Sequence, residues 1–310
     1  MKSKIPIVLS GSSNPPLASS IAKYWETRVG SLERRTLANQ EILPRVMENV
    51  SGKPVIVIQS LSPPAEKHFF EFALTINALQ REAPSTIIGV IPWLAYSLQD
   101  RRFRKGEPVS AKTIATFIDG LGIDRIVLID LHSKKAESYF KTPTITVRHD
   151  EVFQQEINKI RSKNLVIIAP DEGARARAQK LAHAAKTKSL QMIKLRDRET
   201  GKVTFNAFEA DVSGKECLMC DDVIITGTTL VGAATILRKK GAATIRAYCT
   251  HAILADGSAK KMEKSAIDEI VVSDTILLEK KKRFPKLRRI SCASVIAKKV
   301  EEYLLLKSRN

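Results

Sequence analysis

Short apolar runs and helix-spaced apolar positions alternate along this chain. Ile5–Leu9 is apolar, and a Gly-Ser-Ser-Asn-Pro-Pro loop and a helix through Ile21 and Trp25 follow it. Val55–Ile58 is the next apolar run, with a helix after it carrying Phe69, Phe72, Ala73 and Ile76 on one face. Thr86–Ile91 is stopped by Pro92. A charged and polar loop, 97–110, then leads to a helix with Ile114, Phe117, Ile118 and Leu121. Arg125–Ile129 ends in Asp130-Leu131-His132. The second half repeats the plan. Leu165–Ala169 precedes a helix over Ala174–Ala185, then come Leu190–Ile193, a run from Cys217, Thr244–His251 and Asp268–Val272, with a closing helix from Ser294 to Leu306. Near-continuous apolar strands between helices predict parallel sheets covered on both faces. The expected fold is α/β, with two similar domains, each a mainly parallel sheet flanked by helices. The boundaries read as 1–148 and 149–310, joined near 145–155.

One stretch in the second half combines several signals. Cys217–Cys220 leads into Asp221 and Asp222, and the turn Thr226-Gly227-Thr228-Thr229 follows. Leu230, Ala233, Ala234 and Leu237 then repeat at helical spacing. A helix start presents unpaired N–H groups and the positive end of its dipole, which together cradle phosphate. The two acids could hold ribose hydroxyls or magnesium. Thr is also a good N-cap, but a cap alone does not call for two preceding acids. Asp130/His132, Asp171, Lys194/Arg196 and Asp221/Asp222 all fall at the carboxyl ends of expected strands, where open α/β sheets bind ligands.

Composition narrows the partners. No apolar run approaches the ~20 residues that span a bilayer, and the N-terminal apolar segment is too short for a signal peptide, so a cytoplasmic protein without membrane contact is expected. Lys plus Arg is 51 against 33 acids, a net charge of +18. That balance suits nucleic acid or a heavily phosphorylated substrate. With 5% aromatic residues a base-stacking platform is poorly supplied, and no nucleic-acid recognition motif joins the charge. The basic run 280–289 reads either as a solvated loop or as a phosphate or partner patch. Cys217 and Cys220 form a CxxC without a second pair or a His pair nearby. On a strand they face opposite ways, so all four cysteines are expected to be structural.

The remaining motifs carry a resemblance. Asp221–Thr229 (DDVIITGTT) resembles the phosphoribosyl-diphosphate signature of the phosphoribosyltransferase superfamily. VIPWLAYSLQDRRF at 90–103, VSAKTIA at 109–115, IDLHS at 129–133 and APDEGARARA at 169–178 resemble, in order and spacing, the ribose-phosphate diphosphokinases, also called phosphoribosyl-diphosphate synthetases. The resemblance covers about residues 5–275. It implies a phosphoribosyltransferase-like fold and transfer of the β,γ-diphosphoryl group of ATP to the C1 hydroxyl of ribose 5-phosphate, releasing AMP. It also implies Mg2+ as cofactor and a homo-oligomer, dimer-based and often hexameric in the family. Carried over by motif, Lys194 and Arg196 match the catalytic cations. Asp221, Asp222, Thr226, Gly227, Thr228 and Thr229 match the ribose 5-phosphate contacts. His132 and Asp171 match the magnesium-associated residues, with Asp130 able to orient the imidazole. Asn39, Glu41, Gln99 and Arg101 match ATP contacts.

Six positions depart from that pattern. Ile225 stands where the family has a third acid, and Thr228 where it has a second glycine. Ile225 can neither ligate metal nor accept a hydrogen bond through its side chain, and its branched Cβ resists φ > 0. Leu98 replaces an arginine before Gln-Asp; Leu37, Gln40 and Ala95 replace a phenylalanine and two glycines on the nucleotide side. These departures motivate an alternative: a non-catalytic, reduced paralogue that regulates an active synthetase. A buried charge-assisted bond to a polyphosphate contributes about 1.5–3 kcal/mol. Leu98→Arg should therefore lower the KM for ATP several-fold in initial-rate measurements. An unchanged or raised KM would mean that Arg101 or Arg104 already fills the role.

Overall fold

The computed structural model of the protein describes residues 5–192, 194–196, 203–205 and 210–307. The chain forms two compact units: Met1–Arg148 with Thr275–Leu277 and Ser291–Asn310, and His149–Asp274 with Leu278–Ile290. The first runs β1 (Ile7–Ser10), α1 (Pro15–Tyr24), β2 (Leu32–Thr36), β3 (Ile42–Val46), β4 (Pro54–Ile58), α2 (Ala65–Gln80), β5 (Thr86–Ile91), α3 (Ser110–Asp119), β6 (Arg125–Ile129), α4 (Lys134–Glu137) and β7 (Thr144–Val147). Its sheet has the order β1-β4-β5-β6-β7, and every pair is parallel. β4 and β5 are buried along their whole length, as parallel strands between two helix layers must be.

The second unit runs α5 (His149–Lys159), β8 (Leu165–Ala169), α6 (Arg175–Ala184), β9 (Lys188–Gln191), β10 (Lys194–Arg196), β11 (Val203–Phe205), β12 (Glu216–Ile224), α7 (Thr228–Lys239), β13 (Thr244–Ala252), α8 (Ser258–Glu263), β14 (Glu269–Ser273) and β15 (Leu287–Ile290). Its sheet is also parallel, in the order β15-β14-β13-β12-β8-β9. The chain leaves β8 toward β9 at one edge, then returns to β12 on the other side of β8. The gap between β8 and β12 is a topological switch point, the crevice where doubly wound sheets hold ligands.

The last helix, α9 (Ala293–Lys307), belongs to the first unit and not to the second. An expected second domain of 149–310 is corrected accordingly. α9 packs on α1 and β7, burying Ala293, Ile296, Ala297, Val300 and Leu304. Tyr303 lies under the Arg125 guanidinium at 4.5 Å from the ring centroid, and Tyr24 donates to Glu301 at 3.1 Å. The linker expected near 145–155 is occupied by β7 and α5, whose buried face carries Val152, Phe153 and Ile157. The basic run is largely spent within its unit. Lys282 donates to the Ile253 carbonyl at 2.8 Å and Lys286 to that of Ser265 at 2.8 Å. Arg288 on edge strand β15 bonds Glu156 at 2.6 Å and Glu269 at 2.8 Å. All four cysteines are buried and none is in a disulfide.

A buried polar network fixes the carboxyl ends of β1 and β4. Glu71 of α2 accepts from the Ser12 N–H at 2.8 Å, from the Ser12 hydroxyl, and from Gln59 Nε2 at 3.1 Å. Gln59 in turn accepts from the Ser13 hydroxyl at 2.8 Å. Arg34 of β2 reaches Glu71 at 3.7 Å and donates to the Ser10 carbonyl at 2.7 Å. The β2–β3 ribbon is thereby tied to the sheet. Removing Glu71 strands several buried donors, each costing about 1–3 kcal/mol when unsatisfied. Glu71→Ala should therefore lower unfolding stability by about 3 kcal/mol, read as a lower urea midpoint. A loss under about 1 kcal/mol would contradict this role.

Candidate active site

β12 carries the two acids to the crevice. Cys217–Cys220 are buried, Asp222 is 4% exposed, and the strand ends at Ile224. The turn that follows is clamped by backbone bonds. Ile253 and Leu254 N–H groups donate to the Ile224 carbonyl at 3.0 and 3.1 Å, and Ala255 N–H to Ile225 at 2.8 Å. Gly227 then takes φ +69° as the N-cap of α7, with no side-chain capping bond. Thr226 Oγ1 accepts from the Thr228 N–H at 3.5 Å, at the start of the helix. Thr226 and Thr228 hydroxyls lie 3.1 Å apart at the exposed rim. A Cβ at residue 227 would lie 2.6 Å from Met262 Sδ, so both the dihedral and the space demand glycine. The positive φ falls on Gly227 and not on Ile225, whose branched side chain is 37% exposed beside the turn. The substitution at 225 thus leaves the backbone cradle in place.

Three carboxylates and one guanidinium meet beside the turn. Asp222 faces Arg177 at 3.9 Å, with both side chains nearly buried. Asp221 Oδ1 accepts from the Asp222 N–H at 3.0 Å. Burial pushes the Asp221 carboxyl well above the usual carboxylate range; the charges of Asp222 and Asp171 add to this, and Arg177 opposes it. Asp171 sits in the β8–α6 connection, where Oδ1 accepts from the Ala174 N–H at 3.2 Å. β8 and β12 are adjacent and parallel, so Asp171 and the Asp221–Asp222 pair flank the switch point. Arg177 was not singled out by sequence, although it lies inside the 169–178 motif. Its helical position gave no sign that it would turn toward an acid on β12, the fourth strand after α6.

The nucleotide-side candidates lie in the first unit. Asn39 and Glu41 sit at the exposed tip of the β2–β3 ribbon, where Asn39 Oδ1 accepts from the Glu41 N–H at 3.2 Å. Gln40 between them has φ +71°, the left-handed region that favours glycine. The 97–110 loop is tied to the β6–α4 loop: Ser133 donates to Asp100 at 2.6 Å and Tyr139 to the Asp100 carbonyl at 2.8 Å. Gln99 and Arg101 are thus brought to the loop that carries the exposed His132. The Gln99 side chain accepts from the Ser110 hydroxyl, and Arg101 lies over the Phe103 ring at 5.3 Å. Asp130, just before His132, is buried at φ +40°.

Lys194 and Arg196 form β10, paired antiparallel with Val203–Phe205. Their side chains lie outside the described residues. Among the described residues, no three His, Cys, Asp or Glu groups are arranged to hold a metal ion. No described helix is long and apolar enough to cross a membrane.

Comparison with known proteins agrees with this geometry. Residues 6–122 match the N-terminal domain of ribose phosphate pyrophosphokinase, and residues 131–304 match the phosphoribosyl synthetase-associated domain. The ribose-phosphate pyrophosphokinase of Hyphomonas neptunium is 36% identical over 270 residues, covering 87% of this chain and 86% of that one. The Marinomonas sp. protein of the same name is 31% identical over 296 residues, covering 95% and 94%. The crystal structure of phosphoribosylpyrophosphate synthetase from Mycobacterium smegmatis superposes with a TM-score of 0.88 at 30% identity, over 98% of this chain and 100% of that one. With two parallel sheets, a glycine-capped turn beside an acidic switch point, and relatives matched over nearly their whole length, this chain belongs to the ribose-phosphate pyrophosphokinase family.

Proposed function

We propose that the chain binds ribose 5-phosphate on the 226–229 turn and transfers to it the diphosphoryl group of ATP. The observation that carries this reading is the juxtaposition at the second sheet's switch point. An anion cradle and a set of acids suited to sugar hydroxyls stand together, one for each end of a ribose phosphate. N–H groups in the first turn of α7 and the Thr226 and Thr228 hydroxyls meet the 5-phosphate dianion. Asp221 and Asp222 accept from the ribose hydroxyls, and Arg177 orients Asp222.

In the reaction, the C1 oxygen bonds to the β-phosphorus of ATP while the bond from that phosphorus to the α,β-bridging oxygen breaks. AMP leaves with the bridging oxygen, and the hydroxyl proton is lost to solvent. Such transfer depends on positioning and charge neutralisation more than on covalent chemistry by the protein. We assign neutralisation to Lys194 and Arg196. Asn39, Glu41, Gln99 and Arg101 hold the nucleotide, and the Asp100 ties to Ser133 and Tyr139 keep two of these on an ordered loop.

The residues fit magnesium as a cofactor. Mg2+ takes oxygen ligands, keeps several waters, and is usually held by one or two carboxylates with substrate phosphates rather than by an all-protein cage. Asp171 is a half-buried carboxylate at a strand end with two other acids nearby, and the described residues supply no complete cage of their own. We assign Asp171 and His132, each within its own unit, as the magnesium-associated residues; the ion when bound supplies neutralisation of the ATP phosphates. We extend the reading to a homo-oligomer built from dimers. We assign it to the cytoplasm, where four buried cysteines outside any disulfide suit a reducing environment.

The test is AMP formation from ribose 5-phosphate, MgATP and orthophosphate. Wild-type protein should produce AMP, and Lys194→Ala should cut kcat by about a hundredfold or more, the scale of losing one transition-state donor. Ribose 5-phosphate binding should survive in that variant. Binding of ribose 5-phosphate without AMP from any nucleotide would favour the non-catalytic paralogue instead.

A further inference from the structure

Within the second unit a cation meets the rim of the phosphate turn from an element that the signature motif does not include. Gly257 turns the chain at φ +79° into α8. Met262 of α8 is buried against the flat face of Gly227. The preceding residue, Lys261, is exposed and directs its ammonium at the turn. Nζ donates to Thr228 Oγ1 at 2.8 Å and to the Thr226 carbonyl at 3.4 Å. No carboxylate among the described residues pairs with Lys261. The turn brings none either, because residue 225 is isoleucine where an acid is usual. A full positive charge is therefore held on two neutral oxygens at the rim of an anion cradle.

We propose that Lys261 is a specificity-determining ligand of the 5-phosphate. This inference rests on the assignment of the turn to ribose 5-phosphate. Neutral oxygens are weak partners for an ammonium, whereas a phosphate dianion makes a charge-assisted bond about twice as strong. Rotation about the long lysine stem moves Nζ from Thr228 to an arriving phosphate oxygen without disturbing the backbone. The Met262 contact with Gly227 couples α8 to the turn, so the ammonium starts within reach.

Titration calorimetry with ribose 5-phosphate and with unphosphorylated ribose tests the proposal, alongside steady-state kinetics. Lys261→Met should weaken ribose 5-phosphate binding about tenfold, the loss expected for one charge-assisted bond. It should leave ribose binding, the ATP KM and the thermal midpoint unchanged, and Lys261→Arg should restore most of the affinity. The proposal is overturned if Lys261→Met binds ribose 5-phosphate as wild type does. It is equally overturned if the variant loses ribose and ribose 5-phosphate affinity alike, since that marks a structural role. If wild-type protein does not bind ribose 5-phosphate at all, the assignment of the turn fails first and the inference falls with it.

Discussion

The second unit's site depends on one backbone dihedral. Gly227 at φ +69° turns the end of β12 into the first turn of α7, and Met262 fills the space a side chain would need. An L-residue there would strain the left-handed backbone by about 1–2 kcal/mol and would also displace Met262. Several functions thus hang on the same absent side chain. The turn stays tight enough for N–H groups to converge, the threonine hydroxyls stay at the rim, and α8 stays close enough for Lys261 to touch them. The chain accepts Ile225 in place of an acid because that residue lies outside the constraint. Its carbonyl is bonded to Ala255 and its side chain faces outward.

Around this turn the parallel sheet separates cohesion from chemistry. Strand interiors are apolar because helices cover both faces, so polar groups are driven to the ends. At the carboxyl end of β12 two acids lie near Asp171, and Arg177 answers Asp222. Burial and like charge hold the Asp221 carboxyl high, a state that hydroxyl donors or a cation would relieve. The glycine-capped turn and the acid cluster therefore lie on one polar edge of the sheet, the edge that the proposed reading gives to a sugar phosphate.

What was legible in sequence follows from range. β4, β5, β8 and the β12–turn–α7 segment could be read because their signals are local: unbroken apolar runs, a small-residue turn, and an apolar stripe at helical spacing. The resemblance to the synthetases rests on those same local motifs. The β2–β3 ribbon was missed because Leu32–Thr36 is too charged to read as a strand. It is held by Arg34 reaching a carboxylate on α2, a contact with no local trace. α5 was read as linker since its buried residues are interleaved with acids and glutamines. α9 is legible as a helix but its unit is not, because an apolar stripe does not name its partner. Arg177 and Lys261 were passed over for the same reason. A cation on a helix reads as solvated until the fold supplies Asp222 or the phosphate turn.

The most direct test of the central claim is a crystal structure of the protein soaked with ribose 5-phosphate. The 5-phosphate should lie within hydrogen-bond distance of the Thr228 and Thr229 N–H groups and the Thr226 hydroxyl, with the ribose hydroxyls on Asp221 and Asp222. Density for the sugar phosphate elsewhere, with the 226–229 turn holding only solvent, would contradict it.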